Sequence, residues 1–506
     1  METKLAGYRQ ARNWWGPVAM VGAIVLVRLP GLSEPAWGSD DGFFTAIGLL
    51  TSKGVPLYAG VFDAHPPVIY WLYRLLVELG AVQHHVLTQL VALLATLAAA
   101  LLTYAVAVRV SPRSTALLAG TVTGLVLSIP TLDGDLLNVE LVALPLFLGS
   151  LYLAFSHRAP ALAISGLLLA LAYATRPSFA IDSLALAVPL LAGDDRVRRV
   201  AAVGLGGVAG LAAVAGGLWL EGSLAAYVNV VMPADQAYVT WSNEGTIWPL
   251  VVRLAILVLV GGAVFWRVRG TAARLATVWL FASVAGSSIT PREITHYAHE
   301  AIPAIAFAVA LLVARLPSRG WRIPAYALAV VAVVFAVEMV LYLPGAQTSL
   351  QSGLPPKDLY PNFAWTALPR YYANWFEYAA GTRDWTRYSR EFPGSATTDA
   401  AEARTLRSLF GSSPLLLTVL GDRPWLFVDS GALPASHFIA TNSAFWQVKG
   451  EPDGLAAQIR SGCAGVIVVE SGSGNWGDDL RAGGYQRLPG TPWATYVTTR
   501  PTTTCH

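Results

Sequence analysis

Apolar runs close to the roughly 20 residues that an α-helix needs to cross a bilayer recur from Pro17 to Leu343, among them 87–108, 200–220 and 325–343. Hydrophobic residues make up 55% of the 506 and charged residues only 13%, so a soluble globular protein is a poor description. From about residue 345 the pattern changes to dispersed charge, turn residues and short strand-like runs, the marks of a soluble domain of ordinary size. The expected architecture is a polytopic α-helical membrane domain over 1–344 followed by a soluble α/β domain over 345–506.

The net charge of +3 is spread over the whole chain and gives no reason to expect nucleic acid as a partner. Cys463 and Cys505 are the two cysteines; they form neither a disulfide framework nor a zinc spacing, and both are expected to be inert. Lys4, Arg9 and Arg12 precede the first apolar run, but 32–37 offers no small-residue cleavage site, so that run reads as a retained first span.

Cytoplasmic loops collect Lys and Arg, which makes orientation readable. With the N-terminus inside, spans near 16–33, 86–108, 114–132, 137–155, 159–175, 178–192, 200–220, 248–266, 272–290, 297–315 and 323–344 give about eleven crossings. The inner loops then hold Arg109 and Arg113; Arg158; Arg196, Arg198 and Arg199; Arg267, Arg269 and Arg274; and Arg315, Arg319 and Arg322. The outer loops hold Glu34, Asp40, Asp41, Asp63, Asp133, Asp135, Glu140, Glu221, Asp235, Glu244, Glu293 and Glu300. An odd number of spans places the C-terminal domain outside. The apolar stretch 66–79 would invert every later loop if it crossed, so it reads as a helix lying along the outer surface.

The first outer loop, 34–85, runs to about fifty residues, far beyond the usual connection length, and is dense in aromatics such as Trp37, Phe43, Phe44, Tyr58, Phe62, Tyr70, Trp71 and Tyr73. It contains Asp40-Asp41-Gly42-Phe43-Phe44 and then Phe62-Asp63-Ala64-His65-Pro66-Pro67, leading into Val68-Ile69-Tyr70-Trp71-Leu72-Tyr73. An acidic pair just after the first span, followed by this D-x-H-P-P-x-x-Y-W-L stretch, resembles the protein O-mannosyltransferase and lipid A aminoarabinose transferase group of GT-C glycosyltransferases. The resemblance continues at Asn138-Val139-Glu140, at Ala174-Thr175-Arg176-Pro177 and at Pro291-Arg292-Glu293-Ile294-Thr295-His296-Tyr297, before a helix with an internal proline, Pro303. It covers the whole membrane part. One departure is the acidic pair itself, Asp-Asp here where the group commonly has Asp-Glu.

The resemblance implies sugar transfer from a polyprenyl-phosphate donor to an acceptor hydroxyl of a glycan, lipid or protein, on the extracytoplasmic side of a bacterial plasma membrane. Such a transfer needs a base for the acceptor hydroxyl and positive charge for the departing lipid phosphate. Asp40 matches the first acid of the group's pair and is the expected base, with Asp41 second. Adjacent residues diverge on a helix or strand, so one acid is expected to be catalytic and the other structural, capping a helix at 42–51; the plainer alternative is that both merely cap. Arg176 and Arg292 stand at outer boundaries, where an arginine either holds phosphate in a bidentate geometry or reaches for lipid headgroups. His296 and Tyr297 follow Arg292 closely and join it as candidates for the donor phosphate. Asp63 and His65 either shape the turn before Pro66-Pro67 or contact the acceptor, and with Glu140 they are taken as site-lining. A divalent cation is a possible cofactor, although no His/Cys/Asp spacing specifies a metal site. The G-x-G-x-x-G-like run within 204–217 lies inside a span and after no strand, so it reads as small-residue helix packing.

In the soluble part, 360–392 is rich in Trp, Tyr and Phe and suits packing or a membrane-proximal rim. Helices are expected at 398–410 and 452–459 and buried strands at 415–420 and 466–470, with 495–499 as a final edge strand. Two other classes compete for the whole chain. A transporter or lipid flippase would show internal hydropathy repeats and ionisable residues at mid-membrane depth, and a non-catalytic envelope scaffold would not depend on Asp40.

Overall fold

A computed structural model describes residues 14–242, 257–289, 295–315, 368–392, 395–411, 415–440, 451–470 and 475–498. The expected span 323–344, the first part of span 248–266, Arg292 and Cys505 lie outside the described residues.

The chain opens with helix α1 (Trp15–Arg28), extended by a 3-10 turn at Pro30–Ser33. The first loop carries α2 (Ser39–Ser52) and α3 (Val68–Glu78). There follow α4 (Val86–Val108), α5 (Arg113–Val126), α6 (Val139–Leu153), α7 (Ala159–Tyr173), α8 (Phe179–Leu190) and α9 (Arg196–Leu220). Next come α10 (Met232–Ser242), α11 (Gly262–Arg267), α12 (Thr271–Gly286) and α13 (Ile302–Val313). Among the described residues three segments are long and apolar enough to cross a membrane: Trp15–Ser33, Val86–Val108 and Arg196–Leu220. Several others are apolar but shorter, because part of the run is wound as 3-10 turn, as at Pro130–Leu132 and Thr295–Glu300. α8 is itself broken, with a 3-10 turn at Ser183–Leu186 between two α-turns.

Helix α3 has 11 residues and reaches about 16 Å, roughly half a hydrocarbon core. It buries Ile69, Tyr70, Tyr73 and Leu76 while Leu75 stays exposed, the one-sided pattern of a helix resting on a surface. Two local readings need correction. The helix after the acidic pair begins at Ser39, so Asp40 and Asp41 lie within its first turn and the N-cap is Gly38, without a side-chain cap; the helix dipole favours acids there in any case. Pro303 stands in the first turn of α13, where its missing N–H breaks no helical hydrogen bond, and is not internal to the helix.

The glycine-rich run does its work in helix packing. A Cβ at Gly206 would collide with the Ala163 carbonyl, one at Gly166 with the Val203 carbonyl, and one at Gly210 would lie 2.7 Å from Ala170 Cβ. α7 and α9 therefore touch backbone to backbone, the close approach that small residues permit in membranes. Trp279, Phe147, Phe179 and Phe307 form the aromatic centre of the main core between α6, α8, α12 and α13.

The C-terminal part comprises α14 (Leu368–Ala379), α15 (Trp385–Ser389), α16 (Ser395–Phe410), β1 (Leu416–Leu420), α17 (Trp425–Ser430), β2 (Leu433–Pro434), α18 (Glu451–Ser461), β3 (Val466–Val469), α19 (Gly477–Ala482), β4 (Tyr485–Arg487) and β5 (Ala494–Thr498). The strands form one sheet in the order β2-β1-β3-β5-β4. β1 is parallel to β2 and β3, whereas β5 is antiparallel to β3 and β4. The expected edge strand is thus internal, and the edge is β4, whose three residues offer no hydrophobic run to read. Cys463, expected to be inert, is disulfide-bonded.

This part seats directly on the first loop. Trp425 Nε1 donates to Gly38 O at 2.8 Å, and Phe62 N donates to His437 O at 2.6 Å. One continuous core runs from Phe44, Ile47 and Leu50 of α2 to Leu417, Val419, Leu426 and Phe427.

A matched pair of variants tests the α7–α9 packing. Gly206→Val forces the backbones apart and should lower stability by about 1–3 kcal/mol or more, whereas Gly204→Val, at a position with nothing within 4 Å, should stay within about 0.5 kcal/mol of wild type. Thermal unfolding of the detergent-solubilised protein compares the two.

Candidate functional site

Helix α2 approaches α3 closely because residue 48 is glycine: a Cβ there would lie 2.8 Å from the Tyr73 carbonyl carbon. The approach brings Tyr73 to Asp41. Successive residues on a helix point about 100° apart, and Asp40 and Asp41 consequently enter different environments.

Asp41 is 1% exposed, meets the Tyr73 hydroxyl at Oδ1 and lies 3.4 Å from His85 Nε2. Tyr73 Oη also stands 2.8 Å from the carbonyl of Leu137. A phenol has one proton to donate and a backbone carbonyl only accepts. Tyr73 can therefore serve Asp41 or the Leu137 carbonyl with that proton, not both at once. Burial pushes the Asp41 pKa up, outweighing His85 and the Tyr73 hydrogen bond, which lower it.

Asp40 keeps 42% of its side-chain exposure, yet protein closes around it, so its pKa too is raised by burial, against the lowering effect of His296 and His65. It is an accessible carboxyl in a recess. Its Oδ2 lies 3.5 Å from His296 Nε2, and His296 Nδ1 lies 3.1 Å from Asp133 Oδ2. Asp133 ends a 3-10 turn in a left-handed conformation, φ 54°, which Asp tolerates better than most residues. Burial alone would lower the His296 pKa, but Glu140, the Asp133 hydrogen bond and Asp40 push it up to about 9. The imidazole is therefore a cation at neutral pH.

Behind this chain lies Arg176, whose guanidinium pairs with Glu140 through Nη1 and with Glu300 Oε2 at 3.2 Å through Nε. Nε also donates to Ser178 Oγ at 3.0 Å, and Ser178 donates to Glu300 Oε2 at 2.6 Å. The guanidinium carbon stacks 4.4 Å over the Tyr297 ring, a cation–π contact. Glu140 sits in the first turn of α6, which Asn138 caps by accepting from Leu141 N at 2.9 Å. Glu300 fits because residue 286 is glycine: a Cβ there would overlap Glu300 Oε1 and approach Asp182 Oδ2 at 3.0 Å.

Asp63 and His65 form a third pair on the same recess. His65 Nδ1 lies 2.7 Å from Asp63 Oδ2, which also receives the Tyr70 hydroxyl, while Ala64 N donates to Asp63 Oδ1 at 2.8 Å. Burial would raise the Asp63 pKa, but His65 and these hydrogen bonds lower it; burial would lower that of His65, but Asp63 raises it. Asp235 of α10, half-buried, lies within the electrostatic reach of His65 and Arg176, and burial raises its pKa.

The structure thus brings Asp40, Asp63, His65, Glu140, Arg176, His296 and Tyr297 into one region, turns Asp41 away, and leaves Arg292 outside the described residues. Among the described residues no group of three or more His, Cys, Asp or Glu is arranged to hold a metal ion.

Neither a protein-family model nor a curated protein matches the sequence. Among solved structures, ArnT from Cupriavidus metallidurans bound to undecaprenyl phosphate is similar with a TM-score of 0.60 at 15% identity, over 96% of this chain and 98% of that one. The apo state of the same protein gives 0.59 at 15%, over 95% and 97%. The oligosaccharyltransferase of Archaeoglobus fulgidus complexed with Zn and sulfate gives 0.46 at 13%, over 94% and 73%. The chain shares the fold of ArnT over nearly its whole length. It is mostly helical, with three segments among the described residues long and apolar enough to cross a membrane, and carries a small C-terminal sheet.

Within this fold, Asp133, Glu300, Asp182, Tyr73 and His85 stand beside the candidate residues although the sequence singles none of them out as a site neighbour. A signal existed for two of these acids: Asp182 and Glu300 stand inside or against expected spans, where an ionisable residue implies a partner. Asp133 shows only as the start of an Asp-Gly turn.

The His296 cation makes stability depend on pH. Its folded pKa of about 9 exceeds the ordinary 6.5, so its contribution is complete below about pH 6.5 and is lost as pH rises through about 9. The thermal midpoint of wild type should fall between those limits by more than that of His296→Gln, as pH-resolved unfolding would show.

Proposed function

We propose that this chain is a membrane glycosyltransferase that moves a sugar from a polyprenyl-phosphate-linked donor to an acceptor hydroxyl on the extracytoplasmic side. The carrying observation is the environment of Asp40: an accessible carboxyl in a recess, beside an imidazolium anchored by Asp133. The GT-C fold, and the undecaprenyl phosphate bound by the similar ArnT, support a lipid-phosphate donor.

In this reading Asp40 takes the proton of the acceptor hydroxyl as its oxygen forms a bond to the anomeric carbon. The bond from that carbon to the phosphate oxygen breaks, and the lipid phosphate leaves with the electron pair. A single displacement inverts the anomeric configuration. His296 carries the positive charge nearest Asp40 and stabilises the charge that develops on the phosphate; Arg292 is assigned to the same phosphate from its place in the sequence. Arg176 is already engaged by Glu140 and Glu300, so we give it an orienting role, holding Tyr297 and the 3-10 turn that carries His296. Asp63 and His65 line the acceptor side. The acceptor is a glycan, lipid or protein hydroxyl.

For topology we propose about eleven spans, a cytoplasmic N-terminus and an extracytoplasmic C-terminal domain beginning near residue 345. The charge asymmetry of the loops supports this orientation.

The test is transfer of labelled sugar from a panel of polyprenyl-phosphate sugars in membranes. Asp40→Asn should lose about 10²–10⁴-fold in rate, the range for removal of a general base, while keeping donor binding. Asp41→Asn keeps a side chain of nearly the same shape facing Tyr73 and should lose less than about tenfold, on the same scale. Undiminished transfer by Asp40→Asn overturns the assignment of the base, and no transfer by wild type from any donor overturns the reading as a whole.

A further inference from the structure

A second cavity, of about 700 Å³, lies far from Asp40. Helix α4 relates the two places. His85, against Asp41, precedes its first residue, and Val108 and Arg109, which line the cavity, are at its other end. Its 23 residues separate these ends by about 34 Å, the thickness of a hydrocarbon core. The cavity thus lies at the far end of this helix from Asp41.

Its walls are mixed. Arg109, His157, Arg199 and Arg269 bring positive or titratable groups, while Phe155 and Pro189 are apolar, and no carboxylate is among the described residues that line it. The nearest acid in contact is Asp195, 3.4 Å from His157 Nδ1.

Arg199 is 3% exposed. It donates to the carbonyls of Ala154 at 2.8 Å and Ala192 at 2.9 Å, at the C-terminal ends of α6 and α8, and its Nε has no partner. Arg109 stacks 4.5 Å over the Tyr152 ring. None of the three arginines meets a carboxylate among the described residues. Arg109 and Arg269 are exposed, where an unpaired charge costs little; the buried guanidinium of Arg199, with no carboxylate partner among the described residues, is costly. A ligand anion at this cavity would lower that cost.

We infer that this cavity binds the phosphate of an anionic membrane lipid in the leaflet opposite the Asp40 recess. The arginines suit phosphate oxygens by charge and by their planar donor geometry, and basic pockets between spans at this depth recognise lipid headgroups. The apolar walls leave room for the glycerol portion. This inference does not rest on the proposed glycosyl transfer.

The experiment uses the full chain in detergent, with native mass spectrometry to count bound lipid and thermal unfolding as a second readout. Probes are phosphatidylglycerol, phosphatidylcholine and inorganic phosphate. Wild type should retain phosphatidylglycerol and gain thermal stability from it, with little response to the other two. Arg109→Gln/Arg269→Gln, both exposed positions, should weaken retention at least tenfold. Arg198→Gln, an exposed neighbour that does not line the cavity, should match wild type. Arg269→Gln alone, expected to weaken retention severalfold, serves should the double variant not fold. Equal retention by wild type and the cavity variants overturns the site, as does equal loss in Arg198→Gln, which would mean diffuse charge attraction. A response to inorganic phosphate equal to that for phosphatidylglycerol overturns the lipid as the source of the anion.

Discussion

The positive charge of Arg176 is the interaction on which the membrane part depends. It is nearly inaccessible, yet Glu140 of α6, Glu300 before α13, Ser178 before α8 and the face of Tyr297 all converge on it. A charge in such a place is tolerable only with its partners, and stripping one partner from a buried pair costs about 3–5 kcal/mol. The pairing therefore fixes the relative register of at least three helical segments, and Gly286 of α12 must stay side-chain-free for Glu300 to reach the network. Apolar packing alone would let these helices slide, since neighbouring lipid is as apolar as Leu; the buried ion pairs penalise each wrong register.

That fixed frame sets the surroundings of the acidic pair. The turn bearing His296 and Tyr297 is pinned at Tyr297 and Glu300 by Arg176, and by the contact of His299 Nε2 with Leu132 O at 2.6 Å. The same Leu132 precedes Asp133, which holds His296 from its other nitrogen. Asp40 thus faces an imidazolium whose position is fixed from two sides. Asp41, one residue on, is enclosed by Tyr73 and His85 and serves to lock α2 onto α3. Two identical side chains differ in surroundings because one helical step separates solvent access from enclosure.

Much of the fold was legible because it rests on hydrophobic runs, and such runs announce themselves. Val86–Val108 and Arg196–Leu220 emerge close to their expected bounds, and so do the buried strands β1 and β3. What stayed hidden obeys other signals. β4 is three residues long with two exposed, so no alternation marks it, and its absence from the reading made β5 look like an edge. Glu300 and Asp182 were visible as acids, but their partnership with each other's surroundings depends on Gly286 in a third segment. That Asp40 and Asp41 diverge was expected; which physical contact encloses Asp41 was not, because Tyr73 lies 32 residues from it and spacing says nothing about so distant a contact.

The C-terminal part bears on the recess through a short mechanical path. Trp425 holds the carbonyl of Gly38, the N-cap of α2, and its ring lies where a Cβ at Gly42 would fall, 2.6 Å from Nε1. The same ring meets His85 edge-on at 5.7 Å. One side chain from the C-terminal part therefore touches the start of the helix bearing Asp40, the glycine two residues later and the histidine beside Asp41. A second anchor, Tyr371, reaches Glu34 at the beginning of the loop, and a third joins Phe62 to His437 just before Asp63. A loop of this length would ordinarily be mobile; clamped at its start, middle and acidic turn, it becomes a fixed wall. The C-terminal part, which shows no nucleophile–base grouping among its described residues, thereby contributes to the candidate site by holding α2 in place.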